Sequence, residues 1–406
     1  MPDNAYTSQG IKLPTNGATG ANTTSTSVRI VPSLPERSLV DVTPSLLSAL
    51  GTPGFDNRLE VGESRAICLL LIDALGWELL TDHATDAPFL AELKGQPITA
   101  GFPASTAPSV ATLGTGRPVG EHGIVGISFE VPGHPLLHAL SWRNHGSGPK
   151  VDLRDEIVPE QVQPQPTALE RAVGVTVTVT APPVQHRSGL TRAVLRGGRF
   201  RTAYGLGDLV ANVEKALSGT TPAFCYAYHG DLDAIGHIYG PGSPAWRYQL
   251  RQIDHLAAGI AEVIPPDGLL AVVADHGMVR LAPDEVVDAD TTPALRAGVR
   301  RIGGDVRARH VYTEPGAADD VLATWRDVLG ERAEVVSRDD AIARGWFGPI
   351  VTDLVRPRIG DVVTASRGGG GVLCTREEPL ESKMIGHHAA YSTAEQLVPF
   401  LTIRNE

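Results

Sequence analysis

Leu269-Leu270-Ala271-Val272-Val273-Ala274-Asp275-His276-Gly277-Met278 is the stretch that decides the fold of this chain. The run from Leu269 to Ala274 has the length and β-branched content of a buried parallel strand. Asp275 and His276 then place two metal-ligand side chains at its carboxyl end, where open α/β sheets bind their ligands. The arrangement recurs. Asp73 follows the apolar run Ile67 to Ile72, and Asp233 and His237 follow Ala223 to Tyr228 after a short loop. Three apolar strands thus deliver carboxylate or imidazole to what could be one sheet edge, which suggests a metal site built from dispersed segments.

The segments between these strands read as helices. Ser243-Pro244 is a helix start, with Ser at the N-cap and Pro in the first turn. Trp246, Leu250, Ile253, Ala257, Ile260 and Ile264 then fall at helical spacing until Pro265-Pro266. Strand, helix and strand in that order form a βαβ unit with a right-handed crossover. Residues 207–217 form a further helix, 39–50 an entry helix and 85–94 a short capped helix, while 173–180 alternates Val and Thr as a strand does. Residues 129–165, rich in Pro, Gly and His, read as a long irregular surface excursion. After Met278 the composition shifts to short elements with many Arg and Gly. The expected organisation is a loose N-terminal tail over 1–37, a catalytic core over 38–279 with 385–406, and an inserted cap over 280–384. Gly368-Gly369-Gly370-Gly371 reads as a flexible loop, since a phosphate cradle needs a helix after it.

Composition narrows the function classes. The 406 residues carry 35 basic and 46 acidic side chains, a formal net charge of −11. This argues against a general nucleic-acid-binding surface, which needs a basic footprint. It leaves room for a small anionic substrate, because bound metal ions reverse the local sign. The three cysteines, Cys68, Cys225 and Cys374, form no CxxC pair and read as buried reduced thiols. The N-terminal residues lack a basic segment and an apolar core of the signal-peptide type, and no run reaches membrane-spanning length. The expectation is a cytoplasmic protein acting away from membranes, with its oligomeric state open.

Taken singly, each candidate has a plainer reading. Asp73 could cap the segment beginning at Ala74. Asp233 could be a solvated carboxylate, and His237 a loop histidine. Asp275 and His276 could be a strand-end pair, and adjacent strand residues reach one ion only if the backbone bends, which Gly277 permits. Either His387 or His388 could supply a late imidazole. Thr106 could be a simple helix cap. As a nucleophile it would gain from the helix N-terminus, which favours an anion and can hold phosphate.

Read jointly, the residues resemble the alkaline phosphatase superfamily, in particular its nucleotide pyrophosphatase/phosphodiesterase branch. The nucleophile pattern Phe-Pro-x-x-Thr-x-Pro is matched by Phe102-Pro103-Ala104-Ser105-Thr106-Ala107-Pro108, followed by Thr115-Gly116 and His122-Gly123-Ile124. Asp233-Ala234-Ile235-Gly236-His237 with Tyr239-Gly240-Pro241, and Asp275-His276-Gly277-Met278, match further motifs in order. Gly386-His387-His388-Ala389 stands for Gly-x-His-Gly, with Ala in the last place.

The resemblance implies a three-layer α/β/α sandwich, alkaline phosphatase-like, with a mostly parallel central sheet and a smaller inserted cap. It implies two divalent metal ions, zinc or else manganese. Asp233, His237 and His388 would hold one ion; Asp73, Asp275, His276 and the Thr106 oxygen would hold the other. Thr106 would then be the nucleophile for phosphodiester or nucleotide pyrophosphate hydrolysis through a phospho-threonine intermediate on a small phosphate ester. Family diesterases usually follow His-Gly-Ile-Val with Asn-Asn, and one Asn donates to a phosphoryl oxygen. Here Gly126-Ile127 stand there, with Arg143 or Asn144 as possible substitutes, so a phosphomonoesterase or phosphonate hydrolase is the nearest alternative. Arg117 reads as a surface or structural arginine. A sulfatase would need a Cys/Ser-x-Pro-x-Arg motif, which 102–110 lacks. A ligand-binding protein on an inactive scaffold is the non-enzyme alternative.

Overall fold

A computed structural model describes residues 37–405. The expected N-terminal tail therefore lies, except for Arg37, outside the described residues. At the centre is β1 (Ala66–Ile72), in which every residue is buried. Both faces of such a strand must be covered, which is why it reads as continuous apolar sequence. Its parallel neighbours are β5 (Ala223–His229) on one side and β6 (Gly268–Val273) on the other. The sheet continues outward from β5 through β3 (Thr176–Ala181) and β4 (Arg199–Thr202). Beyond β6 lie the antiparallel β11 (Leu397–Asn405) and then β2 (Lys94–Thr99). The expected mostly parallel α/β architecture is thus the one observed.

Register positions the site. Ile72 pairs with His229, and Leu71 with Val273, so all three strands run out at the same edge. The residues that follow, Asp73, the Gly230 turn and Asp275, emerge side by side.

Helices α1 (Leu39–Ala49), α2 (Thr106–Thr115), α3 (Leu206–Leu217), α4 (Asp231–Tyr239) and α5 (Pro244–Glu262) accompany the sheet. In α5 the Ser243 hydroxyl accepts from the Trp246 amide, and Trp246, Leu250, Ile253, Leu256, Ala257 and Ile260 form the buried stripe. The expected helix over 85–94 is instead a 3₁₀ turn, Ala84–Asp86, and a short helix, Pro88–Glu92. Asp86 is drawn off by Arg247 and Arg251, and the new helix start is capped from a distance by Asp254, which accepts from the Phe89 and Leu90 amides.

The segment 129–165 also departs from its reading. It contains a three-stranded antiparallel sheet, Ser128–Glu130, Leu136–His138 and Arg143–Asn144. Phe129, Leu137, Trp142, Leu153 and Ile157 join the main core. Trp142 donates through its indole N–H to the Ile157 carbonyl at 2.6 Å. The strands are too short for alternation to show through the intervening Pro and Gly residues.

Residues after Met278 build a second antiparallel sheet. It contains β7 (Val299–Asp305), β8 (Ala308–Thr313), β10 (Val362–Ser366) and β9 (Ala333–Ser337) in that order, covered by α6 (Ala318–Leu329). Val311, Val321, Trp325, Leu329, Val335 and Val362 share a separate apolar cluster. Two buried bidentate pairs fasten this sheet to flanking segments. Arg307 bonds Glu395 at 2.7 and 2.9 Å, and Arg309 bonds Glu378 at 2.7 and 2.6 Å. Gly371 leaves the glycine run to start a short strand, Gly371–Leu373, paired with Val286–Asp288. The three cysteines are free and buried, and burial pushes the Cys374 thiol up to about 12.

Candidate active site

The sheet edge gathers all seven residues singled out from the sequence. Asp73 follows β1; its Oδ2 accepts from the Tyr228 hydroxyl, and its amide donates to the His229 carbonyl at 3.0 Å. It is not a cap for the next segment, because Ala74 has φ +61° and gives its N–H to Asp275 Oδ1 at 3.0 Å. Asp275 and His276 lie just past the end of β6, so strand alternation does not divide them. Gly277 lets another backbone segment approach closely there: a Cβ at that position would stand 1.9 Å from the Ala394 carbonyl oxygen. Asp233 and His237 occupy one side of α4, with His237 Nε2 3.2 Å from Asp233 Oδ1.

The histidines share one device. His276 Nδ1 meets the Gly277 carbonyl at 2.9 Å, His237 Nδ1 the Gly386 carbonyl at 2.7 Å, and His388 Nδ1 the Ala104 carbonyl at 3.0 Å. A carbonyl only accepts, so each Nδ1 carries the proton. Each Nε2 is thereby turned toward the centre and offers its lone pair there when the ring is neutral, as in metal-binding histidines. Asp73 Oδ1, Asp233 Oδ1 and Asp275 Oδ2 are buried there without a hydrogen bond. Ligand atoms of Asp73, Asp275 and His276 lie within 4.8 Å of one another, as do those of Asp233, His276 and His388. These orphaned oxygens and oriented nitrogens fit divalent cations, and the mixed Asp and His set suits zinc or manganese. His276 adjoins both groups, whereas the motif comparison assigns it to the nucleophile side alone.

Electrostatics supports the same fit. Burial, then the neighbouring Asp275 and Asp233 charges, hold the Asp73 carboxyl well above its ordinary range. Burial also acts against ionised Asp233, but His237, His388 and His276 outweigh it and hold that carboxyl well below the usual range. Conversely Asp233 lifts His237 to about 9 against the effect of burial. Carboxylates this crowded need positive charge, whether from protons or from metal.

Thr106 is the first residue of α2, and its hydroxyl donates to His276 Nε2 at 3.1 Å. Ser105 stands at the N-cap, but its hydroxyl turns instead to Asp305 Oδ1 at 2.8 Å. Asp305 Oδ2 takes the Ile127 amide at 3.3 Å. Burial pushes the Asp305 carboxyl up to about 6. Neither Arg143 nor Asn144 lines the pocket beside Thr106. The Asn144 side chain is engaged by the Pro149 carbonyl and the Val151 amide. Arg117 pairs with Glu121 at 2.8 Å, one turn on. His122 is a buried clamp between Thr112 Oγ1 and the Ile124 amide, and burial brings it down to about 3.

The sequence reading did not find Asp305, His138, His145, Glu378 or Glu381, all of which line this pocket. His145 and Glu378, 2.9 Å apart, are separated by 233 residues of chain, a distance no local motif bridges. Ala389 has φ +107°, a backbone conformation that favours glycine.

Sheet order and site geometry define a mostly parallel α/β protein with carboxylates and imidazoles clustered at one edge of its central sheet. Residues 67–390 match the model of the type I phosphodiesterase / nucleotide pyrophosphatase family, and the chain belongs to it. Human ectonucleotide pyrophosphatase/phosphodiesterase family member 7 is 25% identical over 259 residues, covering 57% of this chain and 52% of that protein. A phosphopentomutase from Anaeromyxobacter dehalogenans is 28% identical over 177 residues, covering 42% of this chain and 41% of its own length. The chain thus spans about half the length, or less, of these curated relatives. Among solved structures, murine ectonucleotide pyrophosphatase / phosphodiesterase 5 superposes with a TM-score of 0.62 at 17% identity, covering 84% of this chain and 89% of that one. An inactive threonine-to-alanine form of that murine protein has been solved in complex with AMP. Phosphonoacetate hydrolase from Sinorhizobium meliloti, solved with phosphonoacetate, gives 0.61 at 18% identity, with 84% and 90% coverage. Among the described residues, no helix is long and apolar enough to cross a membrane.

Proposed function

We propose that this chain hydrolyses phosphate esters, phosphodiester or nucleotide pyrophosphate bonds first among them, with Thr106 as nucleophile. The observation that carries the reading is the Thr106 hydroxyl 3.1 Å from His276 Nε2, at the meeting point of the oriented imidazoles and orphaned carboxylate oxygens. Asp233, His237 and His388 would hold one divalent ion, and Asp73, Asp275, His276 and Thr106 the other. Zinc is the favoured metal, with manganese also suited to the donor set. Such ions, when bound, would acidify the hydroxyl and balance charge on the attacking and leaving oxygens.

The protein's own groups would divide the remaining work. The start of α2 favours negative charge on the Thr106 oxygen. Tyr228 orients Asp73, and the backbone carbonyls hold the three imidazoles in one tautomer. Thr106 Oγ1 loses its proton and attacks phosphorus, the bond to the ester oxygen breaks and that oxygen leaves as the alcohol with a proton, and water then attacks phosphorus to release the phosphate product and restore the Thr106 hydroxyl. The inactive threonine-to-alanine form of the murine relative supports the choice of nucleophile by analogy.

A second reading, phosphomonoester or phosphonate hydrolysis, is favoured by Ile127, which offers no side-chain donor to a phosphoryl oxygen. Rates on aryl phosphodiesters, aryl phosphomonoesters and phosphonoacetate, with zinc or manganese supplied, decide between them. Diesters faster than monoesters support the first reading; the reverse order supports the second. The free, buried thiols are compatible with a cytoplasmic setting.

A further inference from the structure

The pocket over Thr106 is a cavity of about 250 Å³ that extends well past the metal-ligand candidates. Its far wall carries His138, His145, Glu378, Glu381 and His387. Among the described residues, no lysine, arginine, phenylalanine, tyrosine or tryptophan lines it. Neighbouring cations are already committed or lie outside. Arg309 is held by Glu378 and by the Val372 carbonyl, and Arg307 by Glu395. Lys150 donates to the Gly146 carbonyl, and Lys383 is exposed outside the lining.

The wall presents hydrogen-bonding groups but no lysine or arginine of the described residues. Glu378 is neutralised by Arg309 and accepts from His145 Nε2. Glu381 is half-buried, and among the described residues its carboxylate has neither a hydrogen bond nor an ion pair. His387 is 4% exposed, and its Nε2 is buried with no partner. His138 Nδ1 accepts the Ser141 amide at 3.4 Å, which in the neutral ring leaves Nε2–H as a donor. Asp305 adds a further carboxylate beside Thr106. On the side away from the metal-ligand candidates, a second phosphate or a carboxylate on the substrate would meet the Glu381 carboxylate with no lysine or arginine of the described residues lining the pocket to balance it, and an unbalanced charge is costly in a partly buried site.

We infer that this end of the pocket selects esters whose second substituent is uncharged or cationic and hydrogen-bonding, and turns away substrates that carry a second anionic group. The inference rests on phosphoester hydrolysis at Thr106 and narrows it. It sets pyrophosphate-linked nucleotides and phosphonoacetate-like compounds among the poor substrates.

The test uses the full chain loaded with zinc or manganese and three p-nitrophenyl phosphodiesters. Their second ester groups are methyl (uncharged), choline (cationic) and glycolate (a carboxylate). The expected kcat/KM for the glycolate ester is about tenfold or more below that of the methyl ester, as expected for like charges at short range. Glu381→Gln should narrow the methyl-to-glycolate ratio and Glu381→Lys should narrow it further, by about tenfold. A glycolate ester cleaved as fast as the methyl ester, or a ratio unmoved by both variants, overturns the selection alone. Cleavage of none of the three overturns the selection together with phosphodiester hydrolysis at Thr106.

Discussion

The imidazoles of His276 and His388 lie face to face, with ring centroids 3.6 Å apart and planes 16° apart. Two charged rings would not stack so closely. Burial first, and then the neighbouring His276 and His237, hold His388 well below its ordinary value, so it is neutral and able to offer Nε2. His387 pairs its backbone with Val279, and its ring lines the pocket 5.8 Å from that of His237, outside both groups of close ligand atoms. His388→Ala should therefore weaken metal retention by at least the roughly 10- to 100-fold that losing a residue orienting a ligand costs, whereas His387→Ala should keep metal near the parent level. Metal-to-protein ratios after dialysis against a weak chelator check this. Equal loss in both variants would contradict it.

Ala389 follows His388 at φ +107°, where a Cβ costs roughly 1–2 kcal/mol. Its methyl is fully buried and worth about 0.8 kcal/mol. Ala389→Gly should thus leave stability within about 1 kcal/mol of the parent, slightly to the stable side. Ala389→Val, with β-branching added at the same φ, should destabilise by more than 2 kcal/mol, roughly the level of an overpacked, strained core site. Urea denaturation of the two variants measures the contrast.

Glu378 provides a pH signature. Burial opposes its ionised form, but Arg309 and then His145 outweigh burial and bring it to about 2. Because the folded value lies below the unfolded one, the stabilisation is complete above the unfolded value near pH 4.5 and is lost as pH falls toward 2. The drop from 4.5 to about 2 corresponds to roughly 3 kcal/mol. Glu378→Gln leaves Arg309 buried without its counter-charge, which costs about 3–5 kcal/mol. The gap between parent and variant should be widest at pH 6 and shrink by pH 3. A gap of constant size across that range would contradict the assignment.

Much of this architecture can be read from local sequence. β1, β5 and β6 are uninterrupted apolar runs, and Asp73 and Asp275-His276 follow β1 and β6 directly. α5 announces itself by Ser243-Pro244 and its apolar spacing. What escaped the reading depends on distant contacts. The helix expected over 85–94 is divided because Arg247, Arg251 and Asp254, on a helix more than 150 residues away, claim its polar groups. The 129–165 sheet has strands of two or three residues, too short to show a period. Asp305 reaches Ser105 across 200 residues, and nothing around Gly303-Gly304 signals that approach. The far wall of the pocket is of the same kind: His138 and His145 come from one excursion and Glu378 and Glu381 from another, so their meeting is a property of the tertiary fold.

The central claim is that Thr106 attacks phosphorus while the surrounding carboxylates and imidazoles hold metal. It is tested most directly by comparing Thr106→Ala with the parent on an aryl phosphodiester, with metal content measured on the same samples. The account predicts a loss of about 10³-fold or more in kcat, on the order expected when a covalent nucleophile is removed, with metal content still close to the parent ratio. Near-parental turnover by Thr106→Ala at equal metal content would contradict it.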